Sequence, residues 1–359
     1  MATRVVERIA EPTYKVLESL TEGATGEVHV VHHDIFGKDK IRKRVDLFGI
    51  DDAIALTEPR LLEDITHENI VHVYEAAYDR AFPGTKPICI YSDYYPERSL
   101  LTAFTAGHVF SLLDAVKITR DMLNALTYVH EVRRYIVRDI KPSNVVTKDG
   151  RTKGLLTDFG EAAAIGGDGM VKAAGGSIIY HAPEWATGRV GVTADIYATG
   201  LVLFELVNGP FAYAKYDGDE MERRIARGLR SMPEADLVGA PHVPDRLMRI
   251  IHKATHRNPA KRYRRAADFR AALMSSRIIG WRRTADGWEG PDSGTRCVYR
   301  VVEEPVRTGV RLVATRQTTR GGPWRRFGID DARLRENDRD GYAKFFDEVL
   351  TRALQRRAI

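Results

Sequence analysis

The chain has 359 residues, 43% of them hydrophobic and 29% charged, a formal charge of +6, and two cysteines. That composition is globular and long enough for two domains, and Cys89 and Cys297 are too few to staple a secreted fold, so they read as free thiols in a reducing compartment. No basic start followed by an apolar run opens the chain, and the longest apolar stretch, Ile196 to Val207 with Glu205 inside it, is shorter than a bilayer span; a soluble, cytoplasmic protein is expected.

Tyr14 to His32 alternates apolar and polar residues around a Gly-containing turn, which predicts a hairpin. A later strand runs through Ile41 to Val45. Asp51 to Ile65 has helical spacing, with Ile54, Leu61 and Leu62 on one face. Val71 to Tyr78 and Ile88 to Tyr94 read as strands. From Leu112 onward helical patterns dominate, as in Leu113-Ala115-Val116-Ile118 and Met122-Leu123-Leu126-Val129. Strands followed by a mainly helical half predict a two-lobed α+β domain.

After Met274 the pattern changes. Cys297 to Glu303, Val310 to Thr318 and Trp324 to Ile329 read as three strands of a meander. Tyr342, Phe345, Phe346, Val349, Leu350, Ala353 and Leu354 recur at helical spacing, which predicts an amphipathic helix packed on the meander or on the helical half. The charge is uneven as well: residues 277–359 carry an excess of about six bases, while the rest is balanced.

The chemistry lies in the first three quarters. Leu20 to Val28 is a turn whose glycines, Gly23 and Gly26, let backbone amides approach phosphate oxygens. Lys43 can reach such phosphates, although Lys38, Lys40, Arg42 and Arg44 beside it also fit a solvated basic cluster. Glu58, on the predicted helix, can pair with Lys43. The most specific signal is Val137-Arg138-Asp139-Ile140-Lys141-Pro142-Ser143-Asn144. Asp139 can accept a hydroxyl proton, Lys141 can steady a phosphate, and Asn144 can ligate a metal through its amide oxygen. Asp158, in Leu155 to Gly160, adds a carboxylate suited to Mg²⁺.

These motifs, with His181-Ala182-Pro183-Glu184, Asp195 to Gly200 and Arg262 in the same order, resemble the eukaryotic-type serine/threonine protein kinase superfamily from about Tyr14 to Met274. The resemblance implies a bilobal fold and transfer of the γ-phosphate of Mg-ATP (Mn²⁺ being the alternative metal) to protein substrates. Asp139, Lys141, Lys43 and Glu58 would be catalytic, and Asn144 and Asp158 would hold the metal. Nucleotide contacts would come from Thr21, Gly23, Gly26, Val28, Ile41, Lys43, Val146 and the backbone of Asp93 and Tyr95. Leu62, Val73, Val137 and Phe159 would stack as a spine resting on Asp195, and Glu184 would pair with Arg262. Lys141 two places after Asp139, and Ser177 near the substrate residue, point to serine/threonine specificity.

The sequence departs from the family at four positions. Thr21 replaces the first loop glycine, Val137 a histidine, Ile41 an alanine, and Ser92 is a small gatekeeper. No phosphate, metal or base group is missing, which argues against the alternative of a pseudokinase scaffold regulated by ATP and the C-terminal region. Arg138 has the form of a phosphate-reading arginine, yet residues 161–176 contain no Ser, Thr or Tyr. We therefore expect that loop phosphorylation is not the on-switch, and that Asp168 or Glu161 supplies the negative charge to Arg138 or a partner orders this segment. The expected organisation is a kinase domain at 1–276 and a small basic domain at 277–359. That tail would recruit a regulatory protein, brace the kinase, or bind nucleic acid through Trp324-Arg325-Arg326-Phe327. His29, His32 and His33 are not expected to bind metal, and no membrane contact is expected.

Overall fold

A computed structural model describes residues 14–23, 26–45, 56–63, 65–79, 87–318, 321–335 and 337–355. The chain divides into two compact units, 1–96 and 97–359.

The first unit is an antiparallel sheet in the order β1-β2-β3-β5-β4, from β1 (Tyr14–Gly23), β2 (Gly26–His33), β3 (Lys38–Val45), β4 (Val73–Tyr78) and β5 (Ile88–Asp93). The hairpin is closed by the pair Gly23 and Gly26, and β1 has two register shifts, which alternation alone does not reveal. Helix α1 (Thr57–Leu62) puts Leu61 and Leu62 in the core, as expected, while Ile54 and the rest of 51–55 lie outside the described residues. Cys89, on β5, is buried and free.

The second unit is built round α4 (Val192–Asn208), whose residues Ala194 to Val207 are all buried. A helix apolar on every side belongs inside a protein rather than on its surface. Around it lie α2 (Leu100–Thr105), α3 (Leu112–Tyr128), α5 (Gly218–Ala226), α6 (Asp245–Ala254) and α7 (Ala266–Met274). Helix α3 runs on through a π-helical turn, Val129–Arg133, into the short strand β6 (Tyr135–Ile136). The hairpin β7 (Val145–Lys148) and β8 (Lys153–Leu156) follows, then β9 (Ala163–Ala164), β10 (Val171–Lys172) and β11 (Arg189–Val190).

The C-terminal region is part of this second unit. It contains more strands than the expected three-stranded meander: β12 (Arg282–Thr284), β13 (Gly287–Pro291), β14 (Val298–Val306), β15 (Gly309–Gln317) and β16 (Arg325–Arg326) pair in order, and β17 (Ala332–Leu334) pairs with β15. The first hairpin escapes the pattern because its strands are short; its turn at 285–286 closes on the pair Thr284 and Gly287, and the φ of +150° at Gly287 would bring an added Cβ within 2.0 Å of the Val301 carbonyl oxygen. Helix α8 (Arg339–Gln355) buries Phe345, Phe346, Val349 and Ala353, a narrower face than the sequence indicates, for Leu354 is exposed.

The region is joined to the helices by specific contacts. The Leu112 amide donates to the Trp281 carbonyl at 3.0 Å, and Arg282 reaches the Asp114 carboxylate at 3.0 Å. Phe346 meets Trp281 and Trp288 edge-on, at 5.4 and 5.0 Å between ring centroids. Five arginines of the region are paired within it: Arg277 with Asp292, Arg283 with Glu303, Arg300 with Glu289, Arg311 with Glu304, and Arg326 with Asp331. Phe327 is buried, and Arg300 covers the Trp324 ring at 4.3 Å.

Candidate active site

In the first unit, β3 alternation separates the basic residues of its run. The Lys43 ammonium donates to Glu58 on α1 at 2.8 Å, and both side chains are about nine-tenths buried. Arg44 instead meets Glu27 at 3.1 Å, and Lys40 lies over the Tyr74 ring, 3.6 Å from Asp93. Lys43 is thus held apart from the solvated cluster that its neighbours suggest. Val28 pairs with Lys43 across β2 and β3, and Ile41 pairs with Ser92 across β3 and β5. The Asp93 amide donates to the His72 carbonyl at 3.1 Å. Burial, then the Asp93 charge, raises the Tyr95 hydroxyl pKa. Thr21 pairs with Val28 in the hairpin, while residues 24 and 25 lie outside the described set. His32 bonds to Asp39 at 2.7 Å, and no cluster of three potential metal-binding His, Cys, Asp or Glu side chains occurs among the described residues.

In the second unit, one carboxylate organises the loop from Val137 to Asn144. Asp195, in the first turn of α4, accepts from the Val137 amide at 2.8 Å and the Arg138 amide at 2.9 Å. His130 of the π-helical turn completes the set, with Nε2 2.8 Å from Asp195 Oδ2. The loop is therefore fixed despite a valine at position 137, and Arg138 is held in the left-handed region with φ +67°.

That anchor presents Asp139. Its Oδ2 lies 2.7 Å from Lys141 Nζ and accepts from Asn144 Nδ2 at 3.0 Å, while Oδ1 accepts the Ser177 amide at 3.0 Å. Lys141 also donates to the Ser177 hydroxyl at 3.0 Å. Asp139, Lys141 and Ser177 thus form one hydrogen-bonded cluster. Because Asn144 turns its amide nitrogen to Asp139, its Oδ1 points the other way, where the Ser143 hydroxyl donates to it at 3.1 Å. Asp158 follows β8 with φ +59°. Amide and carboxylate oxygens are a donor set suited to a hard divalent cation.

The segment after Asp158 folds onto Arg138. Arg138 Nε donates to the Glu161 carbonyl at 2.5 Å, and Nη1 to the Lys172 carbonyl at 2.9 Å. Burial raises the Glu161 carboxyl pKa, and nearby Arg138 opposes the rise. Asp168 is not the counter-charge to Arg138, because Arg189 binds it at 2.5 Å on the exposed surface. Gly175 and Gly176 allow the close approach: both have positive φ, and an added Cβ would meet Glu161 at 1.7 Å and the Arg138 carbonyl at 2.7 Å.

Downstream, Arg262 binds Glu184 through both of its terminal nitrogens at 2.7 Å. His181 stacks on Trp185, and burial lowers its pKa to about 4. Glu205, read from sequence only as a charge in an apolar run, accepts from Tyr180 at 2.7 Å, from Tyr213, and from the Phe211 amide at 3.1 Å. Burial pushes its carboxyl up to about 7. His130 is the other contributor missed in the sequence, where its signal was a single histidine closing an apolar helix just before the loop.

These features define a protein kinase, and the protein kinase domain model matches residues 14–272. The chain belongs to that family, whose members use ATP and a divalent metal. It is 27% identical to the serine/threonine-protein kinase PrkC of Bacillus subtilis over 73% of this chain and 40% of that protein. It is 30% identical to a probable serine/threonine-protein kinase of Streptomyces coelicolor over 72% of this chain and 39% of that protein. A maternal embryonic leucine zipper kinase of Danio rerio is 28% identical over 61% of this chain and 32% of that protein. The chain thus spans about two fifths of the first two relatives. No helix among the described residues is long and apolar enough to cross a membrane.

Proposed function

We propose that the chain is a serine/threonine protein kinase that transfers the γ-phosphate of Mg-ATP to a protein hydroxyl. The observation that carries this reading is the Asp139 carboxylate, ringed by Lys141, Asn144 and the Ser177 amide. Asp139 accepts the proton of the substrate hydroxyl as its oxygen bonds to phosphorus and ADP leaves. Lys141 offers positive charge to the transferring group, and its bond to Ser177 couples it to the segment expected to face the substrate residue. Asn144 and Asp158 would hold the cation, which when bound neutralises phosphate charge. Lys43, pinned by Glu58, would draw the α and β phosphates into place. Thr21, Gly23, Gly26, Val28, Ile41, Val146 and the backbone of Asp93 and Tyr95 would enclose the nucleotide.

The kinase domain is proposed to occupy 1–276, with 277–359 as an appended brace. The contacts of Trp281 with α3 support bracing over a free recruitment module, and the paired arginines and buried Phe327 leave less cationic and aromatic surface for nucleic acid. The test is phosphate transfer from Mg-ATP to the chain itself and to a generic basic protein, beside Asp139→Asn, with modified residues located by mass spectrometry. Label on Ser or Thr that vanishes in the variant supports the reading. Nucleotide binding without transfer would favour a scaffold.

A further inference from the structure

Resting on that kinase reading, we infer that Glu97 is a positioning residue for the adenine end of ATP. It locks the chain segment following Tyr95 onto the hairpin that carries Val146. The β7–β8 turn has an uncommon backbone. Asp149, Gly150 and Arg151 all have positive φ, at +56°, +70° and +60°. Successive amides in such conformations form a concave nest for an anion. The Glu97 carboxylate fills it: Oε1 accepts the Gly150 amide at 2.8 Å, and Oε2 accepts the Arg151 amide at 2.9 Å.

The same two segments are joined along their length. The Thr147 amide donates to the Arg98 carbonyl at 2.9 Å, the Thr147 hydroxyl donates to that oxygen at 3.2 Å, and Ser99 pairs with Val146 as an antiparallel bridge. Residues 97–99 are thus held beside β7 by a single isolated bridge at Ser99 and by the two bonds to the Arg98 carbonyl. Glu97 is the end clasp of this arrangement, and a left-handed conformation at two residues with side chains persists only where its surroundings hold it. The register of Val146 against the segment after Tyr95 follows from the clasp.

The full chain and its Glu97→Gln, Glu97→Ala and Arg151→Gly variants would be titrated with ATP, ADP and inorganic tripolyphosphate, all with Mg²⁺, beside steady-state kinetics. Glutamine keeps the shape and one acceptor but turns an N–H toward the second amide. Its Kd for ATP and ADP and its KM for ATP are expected to rise about five- to tenfold with kcat within about twofold, the pattern of lost uniform binding. Tripolyphosphate, which has no adenine, binds as before. Arg151→Gly keeps the amide and suits the positive φ, and although it gives up the 3.3 Å bond from Arg151 Nη1 to the Thr147 hydroxyl, the Thr147 amide still holds the Arg98 carbonyl, so it binds ATP like the parent. Unchanged nucleotide affinity in both Glu97 variants, or equal weakening of tripolyphosphate and ATP, overturns the inference. A parent chain that binds no nucleotide overturns the kinase reading and the inference with it, a result distinct from either of those.

Discussion

Arg262 and Glu184, 78 residues apart in sequence, meet as a two-pronged ion pair with both bonds at 2.7 Å, and the arginine side chain is fully shielded from solvent. Arg262 also donates to the carbonyls of Thr193, His256 and Arg257, so it ties the start of α4 to the loop before α7. Removing one partner of such a pair strands the other charge in a poorly hydrated site. Arg262→Ala is therefore expected to lower unfolding free energy by about 3–5 kcal/mol, read by urea denaturation. Arg262→Lys should recover only part of this, because an ammonium cannot match the planar fork.

Asp139→Asn should separate chemistry from folding. The amide cannot take a proton from an incoming hydroxyl, so kcat is expected to fall about 10²–10⁴-fold. Unfolding free energy should stay within about 2 kcal/mol of the parent, since the side chain keeps its size and can still accept from the Ser177 amide. A variant that retains full turnover would remove Asp139 from the role of base.

Phosphatase treatment should leave activity intact. The donors of Arg138 that fix the following segment go to the main-chain carbonyls of Glu161 and Lys172, and residues 161–176 offer no hydroxyl to modify. The check is the initial rate of transfer to an exogenous substrate before and after treatment, with occupancy at Ser177 and Tyr180 followed by mass spectrometry. A rate that tracks phosphate at either residue would contradict this.

Glu205 gives a signed pH dependence. Its carboxyl is raised from 4.5 to about 7 in the folded protein, chiefly by burial. A raised folded pKa adds stability that is complete below the unfolded value and is lost as pH climbs through the folded one. This group's contribution should fall between about pH 4.5 and 7, by about 3 kcal/mol in all. Glu205→Gln cannot titrate, so its stability relative to the parent should improve from about pH 4.5 to about pH 7 and level off above that in parallel denaturation curves. A constant difference would place the ionisation elsewhere.

Deleting residues 277–359 should destabilise what remains. The cut removes the Trp281 carbonyl from the Leu112 amide, Arg282 from Asp114, and the aromatic cover that Phe346 and Trp288 give to His242. A lowered melting temperature and increased binding of a hydrophobic dye are expected. A fragment 1–276 that melts like the full chain would make the tail a separate module.

The clustering of Asp139, Lys141 and Asn144 was legible in the sequence because the three fall within six positions on one loop, with a second aspartate before glycine following. The Lys43–Glu58 pair was legible as an option, and strand alternation decided it by sending Arg44 elsewhere. Other partners depended on packing that no local pattern encodes. His130 reaches Asp195 only because α3 ends in a π-helical turn, and Glu97 meets its amides only because three successive residues turn left-handed. The tail misled for a related reason. Its first hairpin has only short strands, and Arg326, read in the sequence as part of a charge-and-stacking motif, is met in the fold by Asp331.

The seam between the tail and the helices also bears on how the sequence can change over time. Gly280 leaves no room beside Leu113, whose side chain an added Cβ would meet at 2.7 Å, and the next residue, Trp281, accepts the neighbouring Leu112 amide. A larger residue on one side needs a smaller one opposite. Residues 112–114 and 280–282 should therefore covary among homologous chains that share the tail, and in chains without it the first stretch should drift toward polar residues. Grafting the tail onto a foreign kinase would fail unless both stretches travel together.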